Sequence, residues 1–311
     1  MTRVFCFGGA HIDRTARCKA AFVPGASNPV AVETTLGGAA LNTAFNLKRF
    51  GHDVYLISTV GDDSEGARVA GALSALELSC EGLIHRRGQA SANYTAILEK
   101  TGDLVAGLAD MAIYDGLTSA ELLKAVEEIS VSPPLSGDFA FLDANLPAGV
   151  LEDLTSHYSS QGLRLAAAAI SPAKVGRLSS ALKNINLLFC NQAELAALSD
   201  VHLEDEAALR HAGASLSAEQ GISILMTRGA NGLLHFDQGE ITAYPAHPAK
   251  VVDVNGAGDA FAAGCLHALM LGVQIPDAIT FGQATACLTL ETKSSTASGL
   301  TAALVSERLG R

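Results

Sequence analysis

The chain predicts an α/β protein with a mostly parallel sheet, and three observations carry that prediction. From about residue 119 onward, helical stretches alternate with short apolar strands, the pattern of a parallel sheet covered on both faces. Two turn-rich segments, about 14–35 and 90–112, do not fit the alternation and read as exposed short strands, a small lid sheet beside the main layer. Hydrophobic residues make up 49% of the 311, yet aromatics are only 5% and Trp is absent, so the core must be aliphatic and Ala-rich. No internal repeat or low-complexity linker divides the chain, which is read as one domain over 1–311 with the lid segments inserted.

In chain order, Val4–Phe7 is an apolar run ending in Gly8-Gly9, a strand entering a tight turn. Residues 38–50 place apolar side chains at Ala40, Leu41, Ala44, Phe45 and Leu47, as a helix does. Val54–Val60 is a strand that exits at Gly61-Asp62-Asp63, and 64–76 is a second helix. Residues 91–99 alternate, and Thr101-Gly102-Asp103 turns the chain into Leu104–Leu108, a hairpin. The later strands are Phe139–Leu142, Leu163–Ala169, Leu187–Cys190 and Ile222–Thr227, followed by a hairpin of Gly232–Phe236 and Ile241–Tyr244. Ala260–Leu271 is a helix-like run without Pro.

A formal net charge of −11 argues against a general nucleic-acid binder, which needs a basic face. The six cysteines are scattered without a CxxC pair and read as reduced thiols. The apolar run at the N-terminus is too short for a signal peptide, and no stretch of about 18 apolar residues is present. A cytoplasmic location without membrane contact is expected.

The segment with the most chemistry is Val252–Gly264. Asn255-Gly256-Ala257-Gly258 is a run of small residues directly before Asp259 and the helix. Small residues let a ligand approach the backbone, and a helix start directs unpaired N–H groups at an anion such as phosphate. An Asp at a helix start ordinarily caps it. Beside an anion site it gains a second reading, a base that takes the proton from the hydroxyl attacking a phosphate. An acidic protein that binds a phosphate donor must concentrate positive potential locally, from helix ends and Mg²⁺.

Val252–Gly264 resembles the C-terminal signature of the PfkB (ribokinase-like) sugar and nucleoside kinases. A second signature of that family, Gly37-Gly38-Ala39-Ala40-Leu41-Asn42-Thr43-Ala44 running on to Gly51, stands near the N-terminus in the right order. The resemblance covers nearly the whole chain. It implies a ribokinase-like three-layer α/β/α core, a β lid that covers the sugar and often dimerises, ATP as donor, and Asp259 as general base with the Gly256, Ala257 and Gly258 amides around the transferred phosphoryl group. It further implies sugar contacts from Asp13, Gly37, Gly38 and Asn42. Asn191 and Glu194 resemble a motif whose Glu acts through water on Mg²⁺. Thr227, Gly229 and Gly232 resemble a nucleotide-phosphate motif. Asn255 stands where relatives carry Thr, next to a monovalent-cation site, which puts potassium activation in question. The role of His11, where many relatives carry Asn, is open, as is which of Gln283, Ala286 and Thr289 meets ATP.

Three further segments resemble the pseudouridine-kinase branch of the family: Ser27-Asn28-Pro29, Gly102-Asp103-Leu104 leading to Ala109-Asp110-Met111, and Leu288–Glu291 with its polar tail. On that resemblance Asn28 and Met111 stand nearest the base of a nucleoside whose 5′-hydroxyl is phosphorylated. Residues 166–174 lack an Asp that relatives commonly carry there. A kinase for ribose, fructose or a keto-sugar acid is the alternative, and a degenerate nucleoside-binding protein is the non-enzymatic one. A dinucleotide-binding dehydrogenase needs GxGxxG after the first strand, and a P-loop kinase needs a Gly-Lys pair; the chain has neither.

Overall fold

The computed structural model describes residues 2–310. The chain opens with β1 (Arg3–Phe7), β2 (His11–Cys18) and β3 (Val30–Gly37), then α1 (Ala39–Arg49), β4 (Asp53–Gly61), α2 (Ser64–Ala75) and β5 (Leu83–Arg86). It continues through β6 (Asn93–Leu98), β7 (Leu104–Asp110), α3 (Ala112–Asp115), α4 (Ser119–Ile129), β8 (Phe139–Asp143), α5 (Ala148–Ser160) and β9 (Arg164–Ala168). It ends with β10 (Leu187–Asn191), α6 (Gln192–Ser199), α7 (Glu206–Gln220), β11 (Ser223–Thr227), β12 (Leu233–Asp237), β13 (Glu240–Tyr244), α8 (Ala257–Met270), α9 (Ile275–Leu290) and α10 (Ala302–Arg308).

A nine-stranded sheet forms in the order β13-β12-β11-β10-β9-β8-β1-β4-β5. Seven strands run parallel, and the edge hairpin of β12 and β13 pairs antiparallel. The strands are apolar in continuous runs because both faces are covered. Along β1, Phe5 and Phe7 enter one core with Leu122, Leu151, Leu154, Leu195 and Leu209 of α4 to α7. Val4 and Cys6 enter the other, with Leu41, Phe45, Leu73, Phe261 and Ile279 of α1, α2, α8 and α9. The three-layer expectation from the alternating pattern is met.

A second sheet of four strands, in the order β3-β2-β6-β7, draws on the two turn-rich segments. It starts earlier than expected: β2 begins at His11, so Asp13 lies within a lid strand and not at the end of a core strand. The short strand β5 has only Leu83 and Ile84 as apolar residues, too weak a signal for the sequence to show.

Asp63 joins the two parts. It caps α2 by accepting from the Gly66 amide at 2.8 Å, and it accepts from the Ser91 amide and hydroxyl at 2.7 and 2.6 Å, just before lid strand β6. Burial alone would raise its carboxyl, but the hydrogen bonds from Ser91 and Gly66 outweigh that and hold it below the usual carboxylate value. A lowered folded-state value means that the ionised carboxylate stabilises the fold above about pH 4 and ceases to do so on acidification. Asp63→Ala is therefore expected to lower stability by about 2–3 kcal/mol at neutral pH, with the deficit shrinking below about pH 4. Denaturant titrations of both proteins at pH 7 and pH 3.5 check this.

Candidate active site

The C-terminal ends of the parallel strands carry three adjoining cavities. The first, about 410 Å³, is walled by His11, Asp13, Gly38, Tyr94, Met111, Asn145, Ile170, Ser171, Lys174 and Asp259. The second, about 190 Å³, lies between Ile170, Asn191, Glu194, Thr227, Gly258 and Asp259. The third, about 250 Å³ and mostly apolar, runs along Thr227, Gly229, Gly232, His247, Ala257, Gly258, Gln283 and Ala286. Asp259 and Ile170 belong to the wall between the first and second, and Thr227 and Gly258 to that between the second and third.

Helix α8 starts three residues before the apolar run that announced it. Gly256 holds a left-handed φ of 74° as its N-cap, and no side chain caps this end. A Cβ on Gly256 would lie 1.9 Å from the Ser295 carbonyl oxygen, so glycine is required on both conformational and steric grounds. The first-turn amides, including those of Gly258 and Asp259, are thus left for an anion. The Asp259 carboxylate stands in the same turn, where Oδ2 accepts from Asn42 Nδ2 at 2.8 Å. Burial pushes the Asp259 carboxyl up to about 6; the Asn42 bond works against the shift, and the charges of Asp143 and Asp13 add to it.

Asn42 is buried and commits its amide to Asp259, while its Oδ1 accepts from Ser295 Oγ at 3.4 Å. Its geometry is that of a brace on the carboxylate. Asp13 faces the first cavity, and His11 Nε2 lies 3.3 Å from Asp13 Oδ1. His11 Nδ1 in turn lies 3.3 Å from the Tyr114 hydroxyl, which also donates to the Ala10 carbonyl. The histidine whose role the sequence left open therefore orients Asp13. Gly37 makes room for that carboxylate, since a Cβ there would sit 2.3 Å from Asp13 Oδ2. Gly38, at φ 108°, lets α1 start against the Gly9 carbonyl.

Asn191 and Glu194 form a capping box at the start of α6. Glu194 Oε2 accepts the Asn191 amide at 2.9 Å, which leaves Oε1 uncommitted toward the second cavity. Burial raises this carboxyl, and the Asn191 bonds oppose the rise. Thr227, Gly229 and Gly232 line the third cavity, as do Gln283 and Ala286, whereas Thr289 is fully buried away from it. Asn255 donates its amide to Asp253 Oδ1 at 3.0 Å and lines none of the three cavities.

Asn28 is set apart from the other expected site residues. Its side chain accepts from the Val23 amide and donates to the Val23 and Ala26 carbonyls, closing its own turn, and it lines no part of the first cavity. An Asn next to Pro in a turn is held by local backbone bonds before it can reach a ligand. Met111 does line the cavity. The sequence reading missed Asp143, fully buried at the end of β8, which accepts from the amides of Gly9 at 2.8 Å, Ala40 at 3.0 Å and Asn145 at 2.9 Å. It also missed Lys174, Asn145 and Ile170 in the first cavity. The available signal was a carboxylate ending an apolar strand; the rest come from loops without a pattern.

A family model described as pfkB family carbohydrate kinase matches residues 1–302. The pseudouridine kinase of Escherichia coli (strain K12) is 24% identical over 289 residues, spanning 92% of this chain and 90% of that protein. Among solved structures, a carbohydrate kinase from Agrobacterium tumefaciens superposes with a TM-score of 0.80 at 36% identity, covering 100% of this chain and 97% of that one. Arabidopsis thaliana ribokinase, solved with ribose and ATP, gives a TM-score of 0.82 at 20% identity, with coverages of 100% and 99%, and shows the same fold.

The Gly256 turn makes a direct prediction. Gly256→Ala should cost at least about 1–3 kcal/mol of stability and displace the start of α8, lowering turnover more than tenfold. Gly258→Ala, whose Cβ would meet nothing within 4 Å, should leave stability within about 0.5 kcal/mol of the parent. Denaturant unfolding of both variants, with steady-state turnover of the first, separates the two effects.

Proposed function

The chain belongs to the pfkB family of carbohydrate kinases, phosphotransferases with an alcohol group as acceptor, and from that premise we propose that it transfers the γ-phosphoryl group of ATP to the 5′-hydroxyl of a ribose-containing nucleoside, with pseudouridine as the favoured substrate. The observation that carries the reading is the position of Asp259 in the wall shared by the first and second cavities. A carboxylate there meets an acceptor hydroxyl on one side and a phosphoryl group on the other.

In this reading the first cavity holds the acceptor, with Asp13 accepting from sugar hydroxyls beside Gly37 and Gly38, and Met111 against the base. Asn42 holds the Asp259 carboxylate in place. Asp259 takes the proton as the hydroxyl oxygen bonds to the γ-phosphorus and the bond to the β,γ-bridging oxygen breaks, releasing ADP. The Gly256–Asp259 turn offers its amides to the phosphoryl oxygens, and Thr227, Gly229 and Gly232 flank the remaining phosphates. The apolar third cavity, with Gln283 and Ala286, suits the adenine. Lowering of the barrier is left to positioning and to dipoles aimed at the developing charge, because little covalent chemistry is asked of the protein.

The residues fit Mg²⁺ carried on the nucleotide. Among the described residues no cluster of three His, Cys, Asp or Glu could cage a metal, and Glu194 offers one uncommitted oxygen. Such a site suits an ion that keeps its waters and meets Glu194 through one of them; the bound ion would neutralise phosphate charge. The likeness to the Escherichia coli pseudouridine kinase and the branch-specific segments support the choice of substrate. Val32, Leu104 and Leu108, exposed on the lid sheet, support pairing of two copies through it. Among the described residues no helix is long and apolar enough to cross a membrane.

ATP consumption across pseudouridine, uridine, adenosine, ribose, fructose and 2-keto-3-deoxygluconate tests the reading, with Asp259→Asn as blank. Selective turnover of pseudouridine supports it, and efficient turnover of a free sugar with none of pseudouridine overturns the nucleoside assignment. Asp259→Asn should fold and bind ATP yet lose roughly 10²–10⁴ in kcat. Because the base acts deprotonated and its carboxyl lies at about 6, kcat/KM of the parent should rise with pH up to that value and level off above it. A profile flat down to pH 5 would remove Asp259 from the role. Asp13→Ala should raise the acceptor KM at least tenfold while the ATP KM stays within twofold, measured by initial rates at saturating co-substrate.

A further inference from the structure

The acceptor cavity is not uniformly acidic. Opposite in charge to Asp13 and Asp259, Lys174 contributes an ammonium to its wall from the loop after β9. Lys174 Nζ donates to Asn145 Oδ1 at 2.6 Å, and Asn145 follows β8. Among the described residues Lys174 has no ion-pair partner; its neighbour Arg177 takes Asp115 instead, at 2.9 Å, and also donates to the Asn145 carbonyl. An ammonium has three N–H donors, so two remain uncommitted. Burial depresses the lysine's basicity, with Asp143 pulling the other way and Arg177 adding to the depression. Asp115 also supports the charge, but from beyond ion-pair distance, and a half-buried cation with no carboxylate in direct contact is costly in the free protein. It is explained by a ligand oxygen that completes its shell.

The local backbone adds a second, independent sign. Ile170, between β9 and Lys174, adopts a φ of +58°, and the Ser171 amide donates back to the Ala169 carbonyl at 2.8 Å. A β-branched residue in a left-handed γ-turn is strained, and such strain concentrates at ligand sites. The turn sets the Ile170 side chain in the cavity wall and leads the chain on to Lys174. With Met111 and Tyr94, Ile170 gives apolar lining to the same cavity that holds the ammonium. Sugar hydroxyls call for acceptors such as Asp13. An uncommitted donor beside apolar walls calls for a carbonyl on a planar ring.

We propose that Lys174, braced by Asn145, donates a hydrogen bond to a ring carbonyl oxygen of the acceptor and so selects a nucleoside with a carbonyl-bearing base over a free sugar. This rests on the nucleoside reading given above. The test is steady-state kinetics of Lys174→Met and of the unaltered protein with pseudouridine, ribose and 2-keto-3-deoxygluconate. The variant should lose roughly 10- to 100-fold in kcat/KM for pseudouridine, mainly through KM, with the ATP KM unchanged and the thermal midpoint unchanged or raised. A structural defect would shift the ATP KM and lower the midpoint. On the unaltered protein, a ribosyl C-nucleoside with a phenyl ring in place of the base should be disfavoured by a similar factor, which tests the contact without a variant. Unchanged pseudouridine kinetics in a folded Lys174→Met, or equal use of the phenyl analogue, overturns the proposal. If the unaltered protein ignores pseudouridine, the nucleoside reading itself has failed, and that is seen before any variant is made. Loss of keto-acid turnover in Lys174→Met would then assign the lysine to a carboxylate and overturn the ring-carbonyl contact.

Discussion

The site depends first on where α8 begins. Its N-terminal turn must present open amides and a carboxylate to the same small volume, two groups that a phosphate would rank oppositely. The Gly256 backbone fixes that turn by resting against the Ser295 carbonyl, closer than any side chain would allow. Behind it the helix has no freedom to slide: Ala260 through Ala268 are all buried, and Gly264 and Gly282 bring α8 and α9 together at distances where a Cβ would collide. Close-packed interiors do not deform continuously, so the position of Asp259 is inherited from the packing of the whole helix. Asn42, reaching across from α1, supplies the last degree of orientation.

A second buried carboxylate ties the remaining pieces together. Among the described residues Asp143 makes no direct ion pair, though the Lys174 charge is near; its carboxylate accepts from the amides of Gly9, Ala40 and Asn145, which belong to the turn after β1, the first turn of α1 and the turn after β8. Gly8 has no side chain because the carboxylate occupies that space, with a Cβ there falling 2.3 Å from the Asp143 Cγ. One charge thus locks three segments: the start of α1 and the turn after β8 line the first cavity, and the turn after β1 leads directly into His11 and Asp13, which line it too. The same charge helps to raise the Asp259 carboxyl. Structural satisfaction of Asp143 and the basicity of Asp259 are in this way parts of a single electrostatic arrangement, in which nearby like charge and burial make a better base.

What the sequence revealed follows from which interactions are local. Apolar runs marked the strands of the main sheet other than β5 to within a residue or two, because burial on both faces leaves its mark in every residue of β1 and β8 and in all but the last of β10. The candidates Gly37, Gly38, Asp259, Asn191 and Glu194 were named from resemblance to family signatures, short runs that in the structure also form a turn or a cap. The start of α8 was not legible, since Gly256 and Gly258 flank Ala257 and weaken the local helix signal, and the turn is held there by tertiary contact of Gly256 with Ser295. Asn28, whose role rested on resemblance, stands apart from the first cavity because its side chain satisfies its own turn. Asp143, Lys174 and Asn145 could not be seen as a group at all, being brought together only when β8 and β9 lie side by side.

The division of the site between the two sheets has a consequence for specificity. The third cavity, from Thr227 through Gly258 to Ala286, is built on the core sheet, its loops and the α8–α9 pair, without the lid. The first cavity is assembled from both sheets: His11 and Asp13 come from β2, Tyr94 from β6 and Ala109 from β7, while Asn145 and Lys174 come from core loops. Because Asp13 stands on a lid strand and Asp259 on a core helix, an acceptor that contacts both bridges the two sheets, and its binding energy is realised only when they are in register. Asp63 and Ser91 already hold the root of β6 to the core at one end of that sheet. The acceptor supplies the second tie, so that a molecule too short to reach from Asp13 past Asp259 to the core loops forgoes part of the positioning on which phosphoryl transfer depends.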